Sequence, residues 1–132
     1  MKIHKLINLP QPSIRYGSVF RVKGKWPYEA FVDFLLVYYP GDARESHLIV
    51  STGHKAGLIL LTLPEESAIE PGASGLSTKW VRENWDKWIY PECPIEDVYV
   101  ISRYEISDRV EPRYLKLFVD HGVAWKIKPL FR

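Results

Sequence analysis

An α+β fold, a mainly antiparallel sheet with helices on one face, is predicted for these 132 residues by three observations. Strand-like segments gather ahead of the clearest helix, and no regular βαβ alternation runs through the chain. The first strand repeats every two residues, whereas the helix repeats at about 100° per residue. With 46% hydrophobic residues the chain suffices for one domain, residues 1–132, burying roughly two thirds of its unfolded surface.

Ser18 to Lys23 alternates apolar and polar side chains, the pattern of a strand with one dry and one wet face, and Gly24 ends it. Tyr28 to Tyr39 is almost wholly apolar, so periodicity does not separate strand from buried helix. Its β-branched and aromatic residues and the turn signal Pro40-Gly41-Asp42 favour a strand. His47 to Ser51 and Leu58 to Leu63 flank Gly53-His54-Lys55-Ala56-Gly57 and read as a hairpin. Pro64 to Gly75, rich in Glu, Pro, Gly and Ser, reads as a surface connection.

Residues 77–89 form the Trp-rich helix. Val81, Asn84, Trp85 and Trp88 fall on one side, Trp80 and Ile89 at its margins, and Lys79, Arg82, Glu83, Asp86 and Lys87 opposite. Ser77 or Thr78 caps the first turn, and Lys79/Glu83, Arg82/Asp86 and Glu83/Lys87 are spaced to pair along the wet face. The three tryptophans are expected to pack on the sheet, each contributing about 2–3 kcal/mol. Pro91 stops the helix, and Asp97 to Ser102 is a further strand. A second helix over Pro112 to Asp120 and a strand over Ala124 to Ile127 complete the prediction.

Composition removes several functions. A formal charge of +2 does not advertise nucleic acid as a partner. Cys93 is the single cysteine, which excludes an intrachain disulfide and a multi-thiolate zinc site and fits a reducing compartment. No signal-peptide pattern opens the sequence and no apolar run approaches the roughly 20 residues that cross a bilayer, so a cytoplasmic protein is expected. Neither HExxH, P-loop, GxGxxG nor GxSxG occurs. His4, His47, His54 and His121 lack metal-ligand spacing, so no metal and no cofactor are expected.

Three constellations merit weighing. A nucleophilic Cys93 would need a histidine such as His54 or His121 beside it, and a half-buried structural cysteine is the stronger reading. The glycine loop at 53–57 has the makings of an anion cradle, although a hairpin turn needs the same glycines. Arg21, Lys23 and Lys25 beside Trp26 and Tyr28, with Trp125, Lys126 and Lys128, would suit a nucleic-acid face, but alternating cations on a strand are more often its wet side.

The charge map says more. Residues 1–64 carry 8 basic and 4 acidic side chains, residues 65–97 carry 3 and 8, and residues 98–132 carry 7 and 4, giving +4, −5 and +3. Glu65, Glu66 and Glu70 lead into the helix, and Glu92, Glu96 and Asp97 leave it. If the two groups share a face, they steer a basic partner.

Gly17 to Glu29 (GSVFRVKGKWPYE), Ser51 to Leu58 (STGHKAGL), Gly75 to Trp80 (GLSTKW) and Trp85 to Cys93 (WDKWIYPEC) together resemble the immunity protein 45 family of bacterial polymorphic-toxin systems. The resemblance covers about residues 5–104 and rests most on the tryptophan-rich helix. It implies a cytosolic antidote, encoded beside a toxin, that works by binding and not by catalysis. Against a toxin with a basic, nuclease-like site, the expected contacts are Glu65, Glu66, Glu70, Glu92, Glu96 and Asp97, with Trp26 and Tyr90 as aromatic anchors. The alternatives are a small nucleic-acid-binding module and an enzyme using Cys93 or His54.

Overall fold

The computed structural model describes residues 3–41 and 45–105. The expected helix at Pro112 to Asp120 and strand at Ala124 to Ile127 lie outside them. The described residues form a six-stranded sheet, a two-stranded ribbon and one helical segment, the α+β arrangement predicted. The main-sheet strands are β1 (Ile3–Lys5), β3 (Val19–Lys23), β4 (Phe31–Tyr38), β5 (Ser46–Val50), β6 (Ile59–Thr62) and β8 (Tyr99–Ile101). The ribbon pairs β2 (Ser13–Ile14) with β7 (Leu76–Ser77). Every pairing is antiparallel, and the order is β1-β8-β3-β4-β5-β6. β3 to β6 form a meander, and β8 inserts between β1 and β3.

The register places two apolar layers on opposite faces of this sheet. Facing the helix, Val100, Phe20, Phe34 and Val50 make one cross-strand row, Val22 and Val32 a second, and Leu36, Leu48 and Leu61 a third. On the other face Ile3, Ile101, Val19, Leu35, Ile49 and Ile59 pair in succession across all six strands. Directly opposed side chains in an antiparallel pair lie close enough to pack, so this second row is a continuous aliphatic band. It explains the near-absence of polar residues in β4, whose Leu35 and Val37 point away from the helix while Phe34 and Leu36 point toward it.

The helical segment begins where the ribbon ends. Ser77 caps α1 (Thr78–Asn84), its side chain accepting from the Trp80 N–H at 3.2 Å. Thr78 instead donates its hydroxyl to the Gln11 carbonyl at 2.8 Å. A π-helical turn, Trp85–Ile89, follows, closed by the Tyr90 N–H on the Trp85 carbonyl at 3.2 Å.

That wider turn corrects the predicted helix face. A π-turn advances less per residue than an α-turn, so Ile89 rather than Trp88 comes round beneath Trp85. Trp85 and Ile89 are buried, whereas Trp88 is 45% exposed and leans on the half-buried Trp80 at 6.1 Å. Only one of the three helix tryptophans is therefore fully packed. The Trp85 ring lies 5.7 Å from that of Phe20, and its indole N–H donates to the Cys93 carbonyl at 3.1 Å.

The ion pairs expected along the helix are not formed among the described residues. Arg82 turns to the amino-terminal segment, where a 3-10 turn (Leu6–Asn8) presents carbonyls, and donates to that of Leu6, which also accepts from the Leu9 N–H, at 2.9 Å and to that of Leu9 at 2.5 Å. A guanidinium gains more from two fixed carbonyl acceptors than from an exposed carboxylate one turn along.

Replacing Trp85 by Ala is expected to lower unfolding free energy by about 3–5 kcal/mol, and replacing Trp88 by less than about 1 kcal/mol. Urea unfolding followed by circular dichroism measures both. Equal losses at the two positions contradict this packing.

Candidate binding surface

The acidic residues singled out from the sequence fall at two separate corners of the sheet. Glu65 and Glu66 lie exposed on a 3-10 turn (Glu65–Ser67) directly after β6, and Glu70 lies exposed just beyond. Ser67 holds the turn, donating its hydroxyl to the Pro64 carbonyl at 2.6 Å. Glu92, Glu96 and Asp97 precede β8 at the other end of the strands. β3, β4 and β5 stand between β8 and β6, four strand spacings of about 4.8 Å. The two groups therefore do not make one continuous field.

Their surroundings differ as well. Lys25 lies 3.8 Å from the Glu92 carboxylate and Lys23 lies 3.5 Å from Asp97, so this corner is a mosaic of both signs. The first corner has the opposite character. A hollow of about 490 Å³ opens beside the end of β6, lined by Glu45, Ser46, Thr62, Leu63, Glu65 and Ser67 among others. Thr62 hydrogen-bonds the Nδ1 side of His47 at 2.8 Å, and the Nε2 of His47 lies 3.6 Å from Glu45. Carboxylate and hydroxyl oxygens dominate this wall, an arrangement that accepts hydrogen bonds from a cation.

The two aromatic candidates separate in the same way. Trp26, in the turn after β3, is 92% exposed, a large apolar surface with no aromatic partner among the described residues. Tyr90 is buried and presents no ring to a partner: it packs edge-on against Tyr28 and Phe34 at 5.8 and 5.4 Å, and its hydroxyl accepts from the Lys25 N–H at 3.0 Å. Burial raises its phenol above the ordinary tyrosine range. Tyr90 thus supports the turn that displays Trp26. A tyrosine following a helix looks alike in sequence whether it faces the core or the solvent.

The glycine loop does cradle an anion, but the anion belongs to the chain. The His54 N–H donates to the Glu29 carboxylate at 3.1 Å. Gly53 has φ +76°, and a Cβ there would collide with that same carboxylate. Trp125, Lys126 and Lys128 of the suggested nucleic-acid face lie outside the described residues, and its other cations are similarly engaged. Arg21 forms a two-pronged pair with Asp33 at 2.8 and 2.9 Å, a hydrogen-bonded contact that raises the guanidinium pKa further, and Lys23 and Lys25 face the carboxylates named above. Tyr28 is half-buried and not offered for stacking.

Cys93 lies wholly within the core, and burial pushes its thiol above the ordinary range, whereas a nucleophile requires the opposite shift. His54 is exposed on its loop. Among the described residues no group of three or more His, Cys, Asp or Glu side chains is placed to hold a metal, and no helix is long and apolar enough to cross a membrane.

What these residues offer is contact surface: an acidic hollow at one sheet edge, an exposed aromatic at the opposite corner, and a core that hides the one thiol. A family model described as Immunity protein 45 matches residues 6–100, and the chain belongs to that family. No curated protein and no solved structure matches it.

Cys93 is expected to resist Ellman's reagent at pH 8 in the native protein and to react as one thiol per chain after denaturation in urea. Rapid native reaction contradicts its burial.

Proposed function

We propose that this chain is an immunity protein that binds a cognate bacterial toxin domain and neutralises it by direct contact, protecting the cell that makes both. The observation that carries this reading is the family match across residues 6–100. An antidote of this kind needs no chemistry of its own. It needs a rigid body, here provided by the sheet pinned at Trp85, and a surface complementary to one partner.

The acidic corner supports a basic partner. Glu65, Glu66 and Glu70 are exposed, and Glu45 extends their field along the hollow. Among the described residues these carboxylates face no lysine or arginine within 4 Å. Negative charge of this kind accelerates encounter with a positive surface, such as the substrate channel of a nuclease, an effect that fades as salt rises. Glu92 and Asp97, each with a lysine within 4 Å, contribute less to that field. Trp26 is a second, independent contact candidate, since a fully displayed indole gains from burial in an interface.

Reversing Glu65, Glu66 and Glu70 to lysine is expected to slow association with the toxin domain about tenfold at low salt, with the difference shrinking at high salt. Reversing Glu92, Glu96 and Asp97 changes the rate less. Stopped-flow or surface-based kinetics with the domain encoded beside this chain, together with survival of cells co-expressing the two, reads both outcomes. An unchanged rate in the first variant removes the acidic corner from the account.

A further inference from the structure

The sheet has two edges among the described residues, and they are built differently. β1 is three residues long and carries His4 and Lys5, features that discourage pairing with another chain. The other edge strand, β6, lies within Leu58-Ile59-Leu60-Leu61-Thr62-Leu63, which contains neither a charge nor a proline. Leu58 and Ile59 are 56% and 64% exposed. Among the described residues β6 is paired on one side only.

Its backbone is set for a further strand. The Leu63 N–H donates to the Ser46 carbonyl at 2.8 Å, and in an antiparallel ladder such bonds alternate. The N–H and C=O of Thr62, one residue earlier and opposite His47, therefore point away from β5. A bulge at Leu60 bends the strand, leaving Leu61 to Leu63 as its straight portion. Ile59 ends the aliphatic band on the outer face, so an added strand would continue that band with an apolar side chain of its own. The hollow bearing Glu45 and Glu65 opens where this strand ends.

Resting on the immunity reading above, we propose that the toxin docks by adding an extended segment of its own to β6, with a Lys or Arg near one end of that segment seated between Glu45 and Glu65. Main-chain hydrogen bonds supply affinity in such a mode, and the side chains flanking them supply selectivity. The charge at the Thr62 end specifies a basic anchor, which a second copy of this edge does not carry within its own β6 sequence, Ile59–Thr62. Pairing of two four-residue strands is also small against the roughly 1,200–2,000 Å² that stable interfaces bury.

The test follows amide hydrogen exchange of the full chain, alone and saturated with the toxin domain encoded beside it. Binding is expected to slow exchange at Thr62 at least tenfold. Thr62→Pro removes the outward donor without touching the bond from Leu63 to Ser46, and proline is tolerated where an edge N–H faces solvent. This variant is expected to bind at least tenfold more weakly than Thr62→Val, which loses the same hydroxyl but keeps the main-chain N–H. Circular dichroism shows whether the proline variant is folded, and the exchange measurement on the unaltered chain stands if it is not. Toxin binding with Thr62 unprotected, or undiminished binding by a folded Thr62→Pro, overturns strand addition and leaves the immunity reading intact. Protection of Thr62 that grows with protein concentration in the absence of toxin assigns the edge to a second copy and overturns the proposal. No binding of the unaltered chain to the toxin domain overturns the immunity reading and this inference together.

Discussion

The indole of Trp85 holds the layers of this protein together. Its ring packs on Phe20 in the third strand of the sheet, while its N–H is satisfied by the carbonyl of Cys93 beyond the helical segment. A buried indole N–H without an acceptor costs a substantial part of what ring burial gains, so Cys93 must remain where it is. Its carbonyl fixes the chain leaving the helix, its side chain fills the core, and the segment after it leads into β8. Tyr90, between the two, carries the constraint to the β3–β4 turn through its bond from Lys25. Arg82 fastens the other side of the helical segment to the amino-terminal turn.

With the helix layer committed to one face, and Val19 and Ile101 buried on the other, the two edges are the surfaces that distinguish the described residues for recognition. The outer face carries the aliphatic band and, one row along, the Arg21–Asp33 pair, whose charges are mutually neutralised. The edges carry the contrast. One is short and charged, and the other is apolar with carboxylates at its end. A protein that acts by occupying its partner has use for such asymmetry, since it directs a partner to one side of the molecule.

Much of this architecture was legible in the sequence. β3 was visible in its alternation, the β5–β6 hairpin in its glycine loop, and the helix in its 100° repeat, as about 3.6 residues per turn requires. β4 was ambiguous for a physical reason: both of its faces are apolar, one against the helix and one in the outer band. β1, β2 and β7, two or three residues each, are too short to show a period and form only because long-range partners pair with them. The exposure of Trp88 was hidden because a π-turn shifts the phase without any distinctive residue. For the site, the acidity of residues 65–97 was legible, but the separation of its halves was not. That separation follows from β8 entering between β1 and β3, a choice of strand order no local pattern encodes.

The central claim is that protection comes from occupancy, one antidote molecule silencing one toxin molecule. Titrating a fixed amount of the toxin domain with purified chain, and assaying residual toxin activity after short and long incubations, tests it most directly. Stoichiometric occupancy predicts a linear loss of activity that ends at one equivalent and is the same at both times. Silencing at far below one equivalent, progressing with incubation, would mean that the chain turns over and would contradict the account.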